Sequence, residues 1–214
     1  MKTVRIWFSK TGRATYISHL DLNRVMIRAV RRAHIPLWYT EGFNRHPYVT
    51  FAAPLSLGYA GLRETMDLRL EEELPMEKLV RRLNACMPEG LRVLEAAEAV
   101  HKVGDIAAAR YRMNLSCPRE TVEAFWQQDA IEVDKRTKKK TYKTIDLKPI
   151  LEKAEAVISA EGDQTVVELL LPCGSTLSIN PSLVMEALER FTGREIEGTV
   201  CRLDVYDGEG RPFC

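Results

Sequence analysis

Closely spaced cysteines are missing from this 214-residue sequence, and so are long apolar runs, glycine-rich phosphate loops and paired catalytic carboxylates. Five cysteines, Cys86, Cys117, Cys173, Cys201 and Cys214, stand far apart and are odd in number, which argues against a secreted disulfide framework. No C-x3-C-x2-C or C-x2-C pattern is present to ligate an iron–sulfur cluster, so each cysteine reads as a small apolar residue of the interior. No stretch approaches the roughly 20 apolar residues that cross a bilayer. Residues 1–11 lack the apolar centre and cleavage site of a signal peptide, and the expectation is a cytoplasmic protein. The four histidines include no H-x3-H pair, so no metal site is expected.

What is present suffices for a core. Hydrophobic residues make up 45% and charged residues 29%, a balance that excludes disorder and suits two domains of about a hundred residues. The net charge of +1 hides an asymmetry. Residues 1–50 hold nine Lys and Arg against Asp21 and Glu41, a local charge of +7, and the remainder carries −6. One part of the chain therefore faces an anionic partner or its own acidic remainder.

Apolar periodicity divides the chain into elements. Residues 4–9 (V-R-I-W-F-S) read as a strand. Ser18 and Asp21 cap a helix that ends near His34, since Pro36 disfavours helical geometry at Ile35. Its inward stripe is Leu22, Val25, Met26, Ala29, Val30 and Ala33. Strands over 48–55 and 65–70 follow, then a helix opened by Pro75 and a strand over 91–97. The region around 101–108 reads as a junction. Beyond it come a strand at 110–116, a helix at 118–128, a basic hairpin at 131–148, strands at 165–171 and 175–179, a helix at 181–192 and a strand at 199–206. In that helix Leu183, Val184, Ala187, Leu188 and Phe191 are expected to face inward. The predicted class is α+β: two tandem ferredoxin-like (βαββαβ) domains, residues 1–100 and 101–214, the second elaborated with extra strands.

Candidate binding residues concentrate in residues 16–58. Arg24, Arg28, Arg31 and Arg32 form a second stripe on the first helix, suited to charge-assisted pairing with successive phosphates, or equally to a solvated face paired with acids elsewhere. Phe43, Asn44, Arg45, His46 and Tyr48 form a loop that can stack on a ring and hydrogen-bond it, or brace itself against the sheet. His19 and His46 are the acid–base candidates if the protein is an enzyme. Lys138, Lys139 and Lys140 form a second basic patch, which also suits a charged hairpin tip that guards a strand edge.

The strings Y-I-S-H-L-D-L (16–22), R-A-V-R-R-A (28–33), E-G-F-N-R-H-P (41–47) and P-L-S-L-G (54–58) closely resemble the opening of the radical SAM-associated (radical SAM-linked) proteins. Glu41 and Arg45 stand where that pattern has glutamine and proline, which changes the charge of its most distinctive motif. The resemblance implies a partner more firmly than a reaction: a cobalamin-binding radical SAM protein that uses S-adenosylmethionine, an iron–sulfur cluster and cobalamin, none of them held by this chain. It leads to a non-catalytic accessory module that binds RNA or another anionic ligand. The alternatives are a metal-independent ribonuclease of the CRISPR repeat-RNA endoribonuclease type, suggested by fold analogy, and a scaffold that contacts only protein.

Overall fold

The apolar alternation of the first residues forms β1, Lys2–Lys10, with Val4, Ile6 and Phe8 on one face. The computed structural model describes residues 2–136 and 141–214. The chain divides into two units, Met1–Ile106 with Asp204–Cys214, and Ala107–Leu203. Each is mixed α+β with antiparallel strand pairing.

In the first unit a 3-10 turn, Gly12–Tyr16, leads into α1, His19–Arg32. There follow β2, Val49–Phe51; β3, Ala60–Leu70; α2, Met76–Asn84; and β4, Leu91–Glu98. Strand β1 lies between β4 and β3, and β2 pairs with the outer side of β3. Residues from β1, α1, β3, α2 and β4 share one core that includes Phe8, Met26, Met66, Leu68, Leu79 and Val93. The spacing predicts a strand over 48–55, but only Val49–Phe51 pairs, opposite Leu68, Asp67 and Met66. Pro54 has no amide to continue the ladder.

The other face of β1 is buried as well. Arg5 and Trp7 are 0% and 3% exposed, in contact with Phe213, Cys214 and the chain at His101. Arg5 sits opposite Asp67 in the ladder and donates to both carboxylate oxygens, at 2.7 and 2.9 Å. It also donates to the main-chain oxygens of Cys214 (2.7 Å) and His101 (2.9 Å), and its guanidinium lies 3.9 Å from the centre of the Phe213 ring. Trp7 Nε1 donates to the Phe213 oxygen.

The second unit runs β5, Ile106–Leu115; α3, Arg119–Trp126; β6, Glu132–Arg136; β7, Tyr142–Asp146; and α4, Lys148–Leu151. It continues with β8, Val157–Glu161; β9, Gln164–Pro172; α5, Pro181–Thr192; and β10, Gly198–Asp207, the last of which crosses the unit boundary. Its sheet has the order β10-β5-β9-β8, and β6 and β7 form a separate hairpin. Three expectations change here. Residues 175–179 form no strand: Cys173 and Ser178 make a single bridge. The partner of β9 is β8, joined to it by a tight turn at Gly162 and overlooked because V-I-S-A-E offers little apolar alternation. Phe191 is 42% exposed, so the inward face of α5 is Pro181, Val184, Ala187 and Leu188.

Replacing Arg5 by Met should leave the Asp67 carboxylate buried without its charge partner and cost roughly 3–5 kcal/mol. Chemical denaturation of R5M, D67L and the double variant tests this, with a large positive coupling expected because the double variant removes both charges.

Candidate functional site

Helix α1 is fixed at its start by Ser18, whose hydroxyl accepts from the Asp21 amide at 3.1 Å and donates to its carboxylate at 2.7 Å. That hydroxyl first, and then the Arg24 guanidinium, holds the Asp21 carboxyl below the usual carboxylate range. Leu22, Met26, Ala29 and Val30 are buried and Val25 half-buried, so Arg24, Arg28, Arg31 and Arg32 are all turned to solvent. Their engagements differ. Arg24 pairs with Asp21 at 3.0 Å, Arg32 donates to the Cys86 carbonyl, and Arg31 lies 6.0 Å from the Tyr39 ring. Arg28 has no hydrogen bond or ion pair among the described residues.

The loop after α1 is pinned at its base and open at its tip. Tyr39 bridges to Pro47, the Thr40 amide donates to the His46 carbonyl at 2.8 Å, and the His46 amide donates to the Thr40 hydroxyl at 3.0 Å. Residues 41–46 are all exposed, and Phe43 is as exposed as a free residue, at 110%. Gly42 sits at φ 121°, a conformation only glycine takes readily. The side chains of Phe43, Asn44, Arg45 and His46 make no hydrogen bond, ion pair or ring contact among the described residues. Tyr48 behaves differently: the Arg69 guanidinium contacts its ring at 4.4 Å and the Trp38 ring at 4.9 Å, which braces the loop base. Through Tyr39, that base adjoins Arg31 near the C-terminal end of α1.

His19 lies at the other end of the helix, about 18 Å of helical rise from Arg31. Its ring stands edge-on to Phe51 at 5.1 Å. The Nδ1 of His19 and the Oδ1 of Asn23, four residues on and therefore on the same helix face, are both buried without a partner. Asn23 is absent from the sequence-based site, although a polar residue four places after His19 on the inward flank was a readable signal. His34 follows the cap residue Ala33 at φ 49° and closes the helix where glycine is usual, its carbonyl accepting from Arg82. Among the described residues no group of three or more His, Cys, Asp or Glu gathers as a metal site.

The second basic patch, Lys138, Lys139 and Lys140, lies outside the described residues. Beside it, Lys135 donates to the Ser178 carbonyl at 2.6 Å. Arg69 is the other residue the sequence did not mark, because its position between Trp38 and Tyr48 depends on strand register.

These features define an α+β protein that presents a basic helix beside an unengaged polar and aromatic loop. The family described as "Uncharacterized protein conserved in bacteria (DUF2344)" matches residues 3–181, and the chain belongs to it. No curated protein matches. Among solved structures, the crystal structure of an unknown protein from Galdieria sulphuraria is similar over 94% of this chain and 98% of its own, at 10% identity and a TM-score of 0.27.

Replacing Arg69 by Ala removes the contact that joins Trp38 and Tyr48. The amides of Thr40 and His46 should then exchange with deuterium up to about tenfold faster, while those of β1 keep their rates. Unchanged exchange would mean that backbone pairing alone pins the loop. Because the Asp21 carboxyl titrates lower in the folded chain, its contribution to the helix cap is fully present above about pH 4 and is lost as the pH falls through the depressed folded value. An acid titration followed at the Asp21 side chain should show this, and in Ser18→Ala its midpoint should move back up.

Proposed function

We propose that the chain is a pair of ferredoxin-like modules serving as a non-catalytic accessory protein, which binds single-stranded RNA through α1 and the 41–46 loop and presents it to a cobalamin-binding radical SAM partner. The strand orders β4-β1-β3-β2 and β10-β5-β9-β8, each with a helix after its first and third strands, support the ferredoxin-like reading. In the second unit the β6–β7 hairpin and α4 are inserted between the first helix and the second strand.

One observation carries the RNA-binding reading. A loop closed at its base leaves Phe43, Asn44, Arg45 and His46 without internal contacts, next to the helix on which Arg28 also lacks a partner. An aromatic ring and hydrogen-bonding groups held out from a rigid base suit an unstacked base, and guanidinium groups on successive turns suit its flanking phosphates. Arg24 and Arg32 are already engaged, so Arg28 and Arg31, with Arg45 of the loop, carry the phosphate contacts. The radical SAM partner rests on the resemblance of the 16–58 motifs, with Glu41 and Arg45 altering what this member reads.

With about three phosphates neutralised, the logarithm of affinity for single-stranded RNA should fall with the logarithm of salt at a slope of roughly −2. Arg28→Ala with Arg31→Ala should weaken binding to all sequences and flatten that slope by about one unit. Phe43→Ala should lose roughly 1–3 kcal/mol with little change in slope. RNA should be recovered intact without added metal; cleavage would instead support the ribonuclease. Equal affinity in the double arginine variant, with its circular dichroism unchanged, would return the stripe to a solvated face. Co-elution with the radical SAM protein from the same host tests the partner.

A further inference from the structure

The second unit contains an open cleft of about 310 Å³ that the RNA-binding reading does not use. Its origin is visible in the chain. Strand β5 opens Ile106-Ala107-Ala108-Ala109, alanines where a strand normally takes branched or aromatic residues, and Ala107 and Ala108 both line the cleft. Ile150 of α4, the half-buried Leu170 of β9 and Leu177 supply larger apolar walls. The 173–178 loop is held by hydrogen bonds from Cys173 to the Ala107 carbonyl (2.8 Å) and from Gly174 to the Leu177 carbonyl (2.9 Å). Leu177 stays 43% exposed at the mouth.

Lys153 is the charged residue of this lining. Neighbouring cations are engaged: Lys148 reaches the Trp126 carbonyl and Glu152, and Arg110 pairs with Glu155. Lys153 makes no side-chain hydrogen bond or ion pair among the described residues. Small-molecule sites are typically apolar concavities of about 300 Å³ or more with a few polar groups that orient the ligand. At about 30 Å³ for each water-sized atom, this cleft accommodates roughly ten non-hydrogen atoms. The Lys153 ammonium, exposed at the rim, can pair with one negative charge on a ligand whose chain fills the apolar part, whereas a phosphate dianion would call for more than one cation.

We propose that this cleft binds an aliphatic monocarboxylate of about eight carbons, its chain against Ala108, Ile150 and Leu170 and its carboxylate on the Lys153 ammonium. The test is a titration of the isotope-labelled full chain with octanoate and, separately, with 1-octanol, read by amide shifts. Octanoate should give saturable shifts at Ala108, Leu170 and Leu177, with a Kd on the order of 1 mM or tighter. Lys153→Met, an exposed change that spares the core, should weaken octanoate about tenfold and leave octanol unchanged. Ala108→Leu should abolish both by filling the floor. Failure of octanoate to saturate by about 10 mM, or equal affinity for octanoate and octanol in the native chain, would overturn the proposal; the second result would point to an apolar side chain of a protein partner as the natural occupant.

Discussion

The buried pair of Arg5 and Asp67 is the constraint on which the first unit depends. A guanidinium with no exposed surface must have its charge and its donors answered inside the protein. Here the carboxylate answers the charge, while the carbonyls of His101 and Cys214 take further donors and the Phe213 ring covers the planar face. Three stretches far apart in sequence are thereby fixed against the central strand β1. Its opposite face carries Val4, Ile6 and Phe8 into the helical core, so β1 is buried on both sides.

A strand held in this way makes a rigid base for what lies outside it. Helix α1 packs its apolar stripe on the core and must leave its arginines in water, because four long cations could not be buried without partners. The loop that follows obtains rigidity from a different source. The Arg69 contacts to Trp38 and Tyr48, together with the paired backbone around Thr40 and His46, pin its base and leave the tip side chains unengaged. Side chains with bracing contacts and side chains without any alternate within ten residues, so among the described residues Tyr48 is engaged and His46 is not although they stand two positions apart.

The second unit carries a hairpin that stands apart from its main sheet. Hairpin β6–β7 and the short α4 enter between the first helix and second strand, and Asp146 ties them together by accepting from the amides of Ile131 and Lys148. Those two backbone hydrogen bonds hold its carboxyl below the usual range. Placing α4 beside the alanine-rich start of β5 leaves space that neither element fills, and the cleft follows from that mismatch.

The sequence by itself determined the elements whose signals are local. Ser18 and Asp21 announce the start of α1, Pro181 opens α5, and the period of the apolar residues assigns Leu22, Met26 and Val30 to the interior and the four arginines to the surface. These depend on neighbours within about four residues, which the chain itself supplies. Only the tertiary structure decided that β2 stops at Phe51, that V-I-S-A-E is a strand and 175–179 is not, and that Arg69 stands against two rings. It also decided that His19 and Asn23 leave buried atoms unanswered on one helix face. Each of these depends on which strand lies alongside and in what register, and a one-residue shift would change the side chains that meet without altering local propensity.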